Sequence, residues 1–349
     1  MTEWISPGAA GRTVQLEPED SPTLVATGQV PVVEHVERLL SEAHDRYRDL
    51  ADGAVADYIP VLAAADPDQF GICVANVHGA SRAVGDAMTP FSIQSISKVF
   101  VYALACRLHG EDVVRAAIGV NSTGLPFNSV MALELNSGLP MNPMVNAGAI
   151  TTTSLIPGDT VADRFELIRD TLGRFAGHPL ELDQDVYESE MATNRRNLAI
   201  ARLLQSYDRI TGDPIETVDV YTRQCSLRVT ATDLAVMGST LADGGVNPVT
   251  GERVVDAHTC RVVLAVMTTA GLYEGSGDWL YDIGMPGKSG VSGGILAVAP
   301  GKGALGVFSP PLDRAGNSVR GQRVAWFLSR ALGLDLFASE AVDPPATER

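Results

Sequence analysis

Apolar residues first fall into a regular pattern after about residue 30. Residues 1–30 are rich in Pro, Gly, Ser and acidic side chains, which predicts a mobile extension. From there the apolar positions lie three or four residues apart, at Val33, Val36, Leu39, Leu40, Ala43 and Tyr47. This spacing places them on one face of a helix, so an amphipathic helix is predicted to open the folded part of the chain.

The next segment has the pattern of two strands followed by a helix. Apolar residues are frequent in 71–77 and 81–87, and the turn His78-Gly79-Ala80 between them favours a β-hairpin. Beyond the hairpin, apolar residues recur at helical spacing at Ile96, Val99, Phe100, Leu104 and Leu108. We therefore expect a helix over about Ser95–His109 whose first turn carries Ser95.

From about residue 111 to 270 the pattern is mainly helical, with loops that contain Gly, Pro and Asn. Helices are predicted over Glu111–Ile118, Val145–Leu155, Thr160–Phe175, Thr193–Tyr207, Pro214–Gln224, Ala231–Leu241 and Ala257–Thr268. Strands are then predicted over Met285–Val291, Gly294–Ala299 and Ala304–Phe308, followed by a final helix over about Ser318–Leu332. Residues 336–349 are predicted to be a flexible tail.

Strands near both ends of the chain, with helices between them, indicate one sheet built from distant segments. The predicted fold class is α+β, with an antiparallel sheet from about 68–90 and 283–310 that is flanked by helices. A mainly helical subdomain, about 111–270, is inserted between these strands. Residues 31–335 are predicted to form this domain.

Composition narrows the possible partners. The chain has 349 residues, 45% of them hydrophobic, and a formal net charge of -16. An acidic surface repels nucleic acid and anionic membranes, so neither is an expected partner. The N-terminus lacks the basic and apolar regions of a secretory signal, and no apolar run is long enough to span a membrane. A cytoplasmic location is therefore predicted.

Cysteines and histidines give no sign of a metal site. The four cysteines, Cys73, Cys106, Cys225 and Cys260, form no C-x-x-C pair and have no histidines at metal-ligand spacing. The chain also lacks an H-E-x-x-H sequence. We expect buried, reduced thiols, no metal and no cofactor.

The sequence Ser95-Ile96-Ser97-Lys98 has the S-x-x-K spacing of a nucleophile and its base. Residues three apart share one face of a helix, so the Lys98 amine can reach the Ser95 hydroxyl. A serine needs a base to remove its proton, and burial can lower the pKa of a lysine enough for it to serve. Taken alone, the tetrapeptide favours an ordinary helix start with a solvated lysine.

A second short motif supports the catalytic interpretation. Lys288-Ser289-Gly290 lies in a predicted strand, where penicillin-recognising enzymes carry K-[ST]-G. The order of hairpin, S-x-x-K helix, helical region and K-S-G strand suggests the serine β-lactamase and penicillin-binding fold. The S-D-N or Y-x-N triad and the deacylating Glu of β-lactamases are missing, which counts against antibiotic hydrolysis.

Longer blocks resemble the glutaminase family, which shares the β-lactamase-like fold. The decapeptide at 91–100, FSIQSISKVF, resembles the family's nucleophile motif. Further similar blocks follow in the family's order: DYIP at 57–60, NPMVNAGAI at 142–150, YESE at 187–190, RNLAIA at 196–201, YTRQCS at 221–226, GLY at 271–273 and GKSGVSGG at 287–294. Together they cover roughly residues 33–330. The resemblance is to the short bacterial type.

The resemblance implies a role for each matching residue. Ser95 would be the nucleophile, Lys98 its proton acceptor and Tyr273 a proton relay. The backbone N–H groups of Ser95 and Val291 would form the oxyanion hole. The remaining residues would bind or border the substrate, L-glutamine: Tyr58, Asn146, Glu190, Asn197, Tyr221 and Tyr273. Glu190 suits the substrate ammonium, and Asn amides and Tyr hydroxyls suit its carboxylate.

Each of these residues also has a structural interpretation. Tyr58 could be a core aromatic, Asn146 could cap a helix that begins at Ala147, and Tyr221 could serve in packing. Glu190 could be one of many solvated acids, although its seven-residue spacing from Asn197 would place both on one face of a helix. Lys288 could be an edge-strand charge.

The predicted function is hydrolysis of L-glutamine to L-glutamate and ammonia through a Ser95 acyl-enzyme. The alternative enzyme class is a penicillin-binding or β-lactamase-like serine acyl hydrolase. A third hypothesis, from another class, is a catalytically inactive module that senses glutamine. Discrimination against L-asparagine is left open, and the resemblance implies a homo-oligomer, either dimer or tetramer.

Overall fold

The computed structural model describes residues 33–210 and 212–339. The predicted extension at 1–30 lies outside this part of the chain, as does the predicted tail beyond residue 339. The helices are α1 Val33–Tyr47, α2 Pro60–Ala63, α3 Ser97–His109, α4 Glu111–Ile118, α5 Met131–Leu135, α6 Asn146–Ser154, α7 Val161–Ala176, α8 Gln184–Thr193, α9 Arg195–Ser206, α10 Pro214–Cys225, α11 Ala231–Ala242, α12 Ala257–Ala270, α13 Ser276–Ile283 and α14 Val319–Ala331.

The strands form one antiparallel sheet and a small two-stranded ladder. They are β1 Gly71–Asn76, β2 Ser81–Gly85, β3 Phe91–Ser92, β4 Arg228–Val229, β5 Gly287–Ser289, β6 Gly294–Ala299 and β7 Gly303–Phe308. The sheet has the order β2-β1-β7-β6-β5, and β3 pairs with β4. The antiparallel α+β architecture predicted from the sequence is therefore confirmed.

Alternation along the strands explains why both faces of the sheet are covered. On β1, Ile72 and Val74 belong to the apolar cluster shared with α1 and α14, whereas Cys73 and Ala75 belong to the cluster shared with α11. Successive side chains of a strand point to opposite faces, so a strand that is apolar throughout requires helices on both sides. The sheet accordingly lies between two helical layers.

The helix α11 approaches the sheet closely because small residues face each other at the contact. A Cβ at Gly306 of β7 would lie 2.1 Å from the carbonyl oxygen of Ala231. Likewise, a Cβ at Gly238 of α11 would lie 2.5 Å from the side chains of Leu296 and Ala304. Only glycine permits this spacing, which brings the helical region between β2 and β5 against the sheet.

Several short elements were not predicted from the sequence. These are α2, α5, α8, α13 and the two-residue strands β3 and β4, which are too short or too weakly periodic to be seen in a hydrophobic pattern. The predicted helix at Thr193–Tyr207 is α9, with α8 directly before it. The predicted strand at Met285–Val291 is only three residues long, because β5 leaves the ladder at Gly290.

The cysteines follow the sequence analysis. All four cysteines are buried free thiols. Within residues 33–210 and 212–339, no helix has the length and apolar character needed to cross a bilayer.

Candidate active site

The turn that carries Ser95 is set by contacts from distant parts of the chain. The ladder of β3 with β4 ends in a hydrogen bond from the Ile93 amide to the Leu227 carbonyl (2.8 Å). Gln94 then adopts a left-handed backbone conformation, with φ of +50°. The Ser97 hydroxyl donates to the Gln94 carbonyl at 2.7 Å and closes the turn. A side chain at positive φ is strained, so these contacts hold the backbone directly before Ser95 in an unfavourable geometry.

Ser95 therefore lies slightly differently from the prediction. It belongs to a short 3₁₀ turn, Gln94–Ile96, and α3 begins two residues later at Ser97. Lys98 remains in the first turn of α3, so the predicted pair still lies at the start of the helix. Both side chains are buried, with Ser95 8% and Lys98 1% exposed.

Lys98 is buried among neutral acceptors. Its Nζ donates to Oδ1 of Asn146 at 2.7 Å and to the carbonyl of Met144 at 3.3 Å. Burial lowers the pKa of Lys98 to about 8, although the nearby Cys225 and Glu190 oppose the shift. A lysine with such a pKa has a usable neutral fraction near pH 7, which a general base requires.

Asn146 connects the lysine to the neighbouring pocket. Its Oδ1 also accepts from the Tyr221 hydroxyl at 3.4 Å, and its Nδ2 donates to Oδ1 of Asn197 at 2.9 Å. The alternative prediction, that Asn146 caps a helix, is wrong. Residue 145 is the N-cap of α6, and no side chain makes a capping hydrogen bond there.

Glu190 is also a buried member of the site. It lies on α8 and accepts a hydrogen bond at 2.5 Å from the side-chain amide of Gln94. Burial raises the pKa of Glu190 to about 7, while the Gln94 hydrogen bond and the Lys98 charge oppose this. The solvated alternative for Glu190 is wrong, because the residue is only 9% exposed.

Glu190 and Asn197 do not share one helix. The chain leaves the helical conformation at Asn194, between α8 and α9. The two side chains nevertheless line one pocket of 260 Å³, together with Asn146, Tyr58 and Phe127. Two neighbouring helices therefore bring Glu190 and Asn197 to the same pocket, whereas the seven-residue spacing had suggested a single helix.

Tyr273 lies in the short 3₁₀ turn Tyr273–Gly275, directly before α13. It also has a left-handed backbone, with φ of +57°, and its hydroxyl interacts with the Ser95 side chain and donates to the Ser289 carbonyl at 3.3 Å. Its ring packs on Phe127 with the centroids 4.7 Å apart. Burial raises the pKa of Tyr273 to about 12, so the phenol is protonated at neutral pH.

Lys288 lies beside Tyr273 and is fully buried, although β5 is an edge strand. Its Nζ donates to the Ser289 carbonyl at 2.7 Å and lies 4.3 Å from the centroid of the Tyr273 ring. Burial and the charge of Lys98 hold the pKa of Lys288 well below its usual value. Lys288 is therefore not a solvated edge charge.

Val291 follows β5 and passes next to the Ser95 turn. A Cβ at Gly290 would lie 3.0 Å from the Ile93 carbonyl oxygen and 3.3 Å from Cβ of Gln94, so the two segments are in contact. Val291 is buried, and its N–H donates to no backbone acceptor among the described residues. A buried donor without a partner beside a nucleophile is typical of an oxyanion hole.

Tyr58 lies at the rim and not in the core. Its side chain is 55% exposed, and it lines the 260 Å³ pocket together with Phe127. Tyr58 and Phe127 also line a second cavity of 560 Å³, on the side of Val291. The two aromatic residues therefore belong to the walls of both cavities.

Three neighbours of the site were not singled out from the sequence. Gln94 holds Glu190, Phe127 packs on Tyr273, and the side chain of Asn317 accepts from the Ser289 hydroxyl at 2.6 Å. Gln94 lies within the recognisable decapeptide, so its position beside Ser95 was a usable signal. Nothing in the local sequence of Phe127 or Asn317 indicates their contacts, which depend on the fold.

The fold and the arrangement of these residues are those expected of an α+β hydrolase with an active-site serine. Ser95 lies between a lysine of lowered pKa, a buried tyrosine and a pocket lined with amide and carboxyl groups. Among the residues described, no cluster of His, Cys, Asp or Glu is arranged to hold a metal ion.

Comparisons with known proteins assign the family. The glutaminase family model matches residues 53–337. Glutaminase 2 of Yersinia pestis is 55% identical over 325 residues, which cover 93% of this chain and 94% of that protein. The chain belongs to the glutaminase family, the amidohydrolases that act on glutamine.

Solved structures agree with this assignment. The probable glutaminase ybaS aligns with a TM-score of 0.87 and 45% identity over 88% of this chain and 99% of that one. The Bacillus subtilis glutaminase YbgJ, in a covalent complex with 5-oxo-L-norleucine formed from 6-diazo-5-oxo-L-norleucine, aligns with a TM-score of 0.79 and 31% identity over 86% of this chain and all of that one.

Proposed function

We propose that this protein hydrolyses L-glutamine to L-glutamate and ammonia through an ester on Ser95, with Lys98 as general base. The observation that carries the proposal is the hydrogen bond of Lys98 to Asn146, which links the base to a pocket suited to an amino acid. Neutral Lys98 removes the Ser95 proton, and the Ser95 oxygen attacks the side-chain carbonyl carbon. The N–H groups of Ser95 and Val291 stabilise the oxyanion.

The amino-acid end of glutamine occupies the 260 Å³ pocket. The α-ammonium pairs with Glu190, whose carboxylate is oriented by Gln94. The α-carboxylate accepts hydrogen bonds from Asn197, Asn146 and Tyr221, which already form one hydrogen-bonded group. Simple amides leave these buried polar groups without partners, so they are poor substrates.

The leaving nitrogen gains a proton before ammonia departs, and the Tyr273 hydroxyl is positioned to relay that proton. This hydroxyl contacts Ser95 and is protonated at neutral pH, because burial raises its pKa to about 12. The proton that Lys98 took from Ser95 reaches the leaving nitrogen either directly or through this hydroxyl. Water then attacks the Ser95 ester, with Lys98 again as base, and releases L-glutamate.

No observation favours the penicillin-binding alternative. The pocket lined with Asn146, Glu190 and Asn197 instead offers partners to the ammonium and carboxylate of a free amino acid. The sensor hypothesis is also disfavoured, because binding alone does not require an intact pair of Ser95 and a buried Lys98.

The proposal is tested by measuring ammonia and glutamate release from L-glutamine. Wild type, Ser95→Ala and the control Ser206→Ala, an exposed serine on α9, are compared at equal concentration. Release that is lost only in Ser95→Ala supports the mechanism. L-asparagine tests side-chain length, and nitrocefin tests the alternative class. Cleavage of nitrocefin without any release from glutamine contradicts the proposal.

We further propose that the catalytic domain spans residues 31–335 and that the protein is a cytoplasmic homo-oligomer. The four buried free thiols are compatible with a reducing compartment. Light scattering coupled to size-exclusion chromatography tests the assembly, and a mass equal to one chain of 36.9 kDa contradicts it.

A further inference from the structure

Three fully buried polar side chains link helices α3, α6 and α10, each of which also carries a group of the site. They are Ser97 on α3, Thr153 on α6 and Gln224 on α10, and each is 0% exposed. The lining of the amino-acid pocket does not include them, so the proposed hydrolysis gives them no direct part. Buried polar groups cost free energy unless they are hydrogen-bonded, so their bonds show what they support.

The three side chains form one series of hydrogen bonds that ends at the turn before the nucleophile. The Thr153 hydroxyl donates to Oε1 of Gln224 at 2.9 Å, and it also lies 3.0 Å from the Ala149 carbonyl of its own helix. Nε2 of Gln224 donates to the Ser97 hydroxyl at 3.5 Å, and this hydroxyl donates to the Gln94 carbonyl at 2.7 Å. All three bonds run in one direction, so each polarises the next. Thr153, Gln224 and Ser97 thus form a polar row that ends at Gln94.

The spacing along two of the helices explains why the polar row lies next to the site. Thr153 follows Asn146 by seven residues on α6, and Gln224 follows Tyr221 by three on α10. Residues seven or three apart share one face of a helix, so the same two helix faces meet twice. The first meeting is the hydrogen bond of Tyr221 to Asn146 at 3.4 Å. The second is the hydrogen bond of Thr153 to Gln224 within the polar row.

The carbonyl at the end of the polar row belongs to a strained turn. Gln94 has φ of +50°, a conformation that residues other than glycine rarely adopt unless their surroundings enforce it. The Gln94 side chain is anchored separately, because its Nε2 donates to the Ser92 hydroxyl at 3.1 Å and to Glu190. The backbone is held at its carbonyl, which accepts from both the hydroxyl and the N–H of Ser97. Relaxation of this turn would move Ser95, the next residue.

We propose that Ser97, supported by the polar row, is a positioning residue that holds the Gln94 turn in its strained form and so keeps the Ser95 oxygen in place for attack. The inference rests on the proposed function, because Ser95 must be the nucleophile. Ser97 acts through the Gln94 backbone and is not itself catalytic. The third residue of the S-x-x-K tetrapeptide thus has a task separate from those of Ser95 and Lys98.

The test measures kcat and KM for the release of glutamate from L-glutamine by the full chain. Ser97→Ala should lower kcat by about 10-fold to 10²-fold, because displacement of a reacting group by about 1 Å can cost about 10²-fold. KM should change by less than about three-fold, since the bond between the Gln94 side chain and Glu190 is kept. A loss that lies in KM and not in kcat contradicts the positioning role.

A matched pair of variants at Thr153 tests the rest of the polar row. Thr153→Val keeps the shape of the side chain but removes the hydroxyl, and it should lower kcat by about two-fold to ten-fold, the factor of one hydrogen bond. Thr153→Ser keeps the hydroxyl and should retain the wild-type kcat. Ser97→Ala combined with Thr153→Val should be no slower than Ser97→Ala alone, because both changes act through the same turn.

Ser239→Ala is the control for the loss of a buried hydroxyl elsewhere. Ser239 is also 0% exposed, and its hydroxyl donates to the Ala75 carbonyl at 2.8 Å, between α11 and β1. Like Ser97→Ala, this change should lower the midpoint of urea unfolding, because it removes a buried hydrogen bond. It should leave kcat unchanged, since the lost bond belongs to the contact with β1.

The outcomes separate this inference from the proposed function. Absence of ammonia release from the wild type means that the glutaminase proposal itself is wrong. A wild-type kcat in Ser97→Ala overturns the positioning role alone, as does an equal loss of kcat in Ser239→Ala. Losses that multiply in the double variant show that Thr153 does not act through Ser97 and overturn the polar row. If circular dichroism shows that Ser97→Ala does not fold, the Thr153 pair decides, and equal kcat values in Thr153→Val and Thr153→Ser overturn the proposal.

Discussion

The pH dependence of glutamine hydrolysis follows from two buried groups, Lys98 and Glu190. The proposed mechanism requires Lys98 neutral and Glu190 ionised, so both conditions improve as pH rises. Burial sets the pKa of Lys98 to about 8 and that of Glu190 to about 7. We therefore expect kcat/KM to rise with pH and to level off above the pKa of Lys98.

The magnitudes follow from these two values. At pH 7 about one Lys98 in eleven is neutral, and the neutral fraction changes tenfold for each further pH unit below. Below about pH 7 protonation of Glu190 multiplies this loss. A plot of log kcat/KM against pH should therefore have a slope near one between pH 7 and 8, and a slope that approaches two at lower pH.

Two variants separate the groups. Lys98→Arg keeps a permanent charge and should lower kcat/KM by about 10²-fold to 10⁴-fold, the usual contribution of a general base. Glu190→Gln should cost about 2–5 kcal/mol of substrate binding and should restore a slope of one below pH 7. Steady-state glutamate release from pH 6 to 9 measures both, with circular dichroism as the control for folding. A wild-type profile that is flat over this range refutes the reasoning.

Three further predictions concern other contacts. Tyr273→Phe should lower kcat by about 10²-fold with little change in KM, because it removes only the hydroxyl at Ser95; equal kcat values contradict the proton route. Gly148→Ala should destabilise the fold by about 1–3 kcal/mol or more in urea unfolding, because its Cβ would lie 1.8 Å from the Asn142 carbonyl oxygen. Nε2 of His178 lies 2.7 Å from Oδ1 of Asp233. Burial lowers the pKa of His178, but the Asp233 carboxylate outweighs burial, so the pKa is raised. The contribution of this ion pair to the free energy of unfolding is therefore complete below about pH 6.5 and is lost as the pH rises through the folded pKa of His178. His178→Ala should cost under about 1 kcal/mol at pH 5.5 and nothing at pH 9.

The sequence by itself determined the features that depend on local spacing. The S-x-x-K tetrapeptide indicated that Ser95 and Lys98 lie together at the start of a helix, and they occupy the 3₁₀ turn and the first turn of α3. Two short apolar runs around a Gly-containing turn gave the β1–β2 hairpin, and helical periodicity gave the longer helices. The order of the sequence blocks indicated the glutaminase family, since many matches in one order are far more specific than any single motif.

Only the tertiary structure decided the environment of each group. Lys98 could have been solvated, and Lys288 could have been an edge charge, but contacts with distant segments buried both. The strained Gln94 turn depends on Leu227, more than a hundred residues away, and the two-residue strands there are too short to leave a pattern. Burial and pairing across the chain set pKa values and pocket walls, and hydrophobic periodicity carries no information about either.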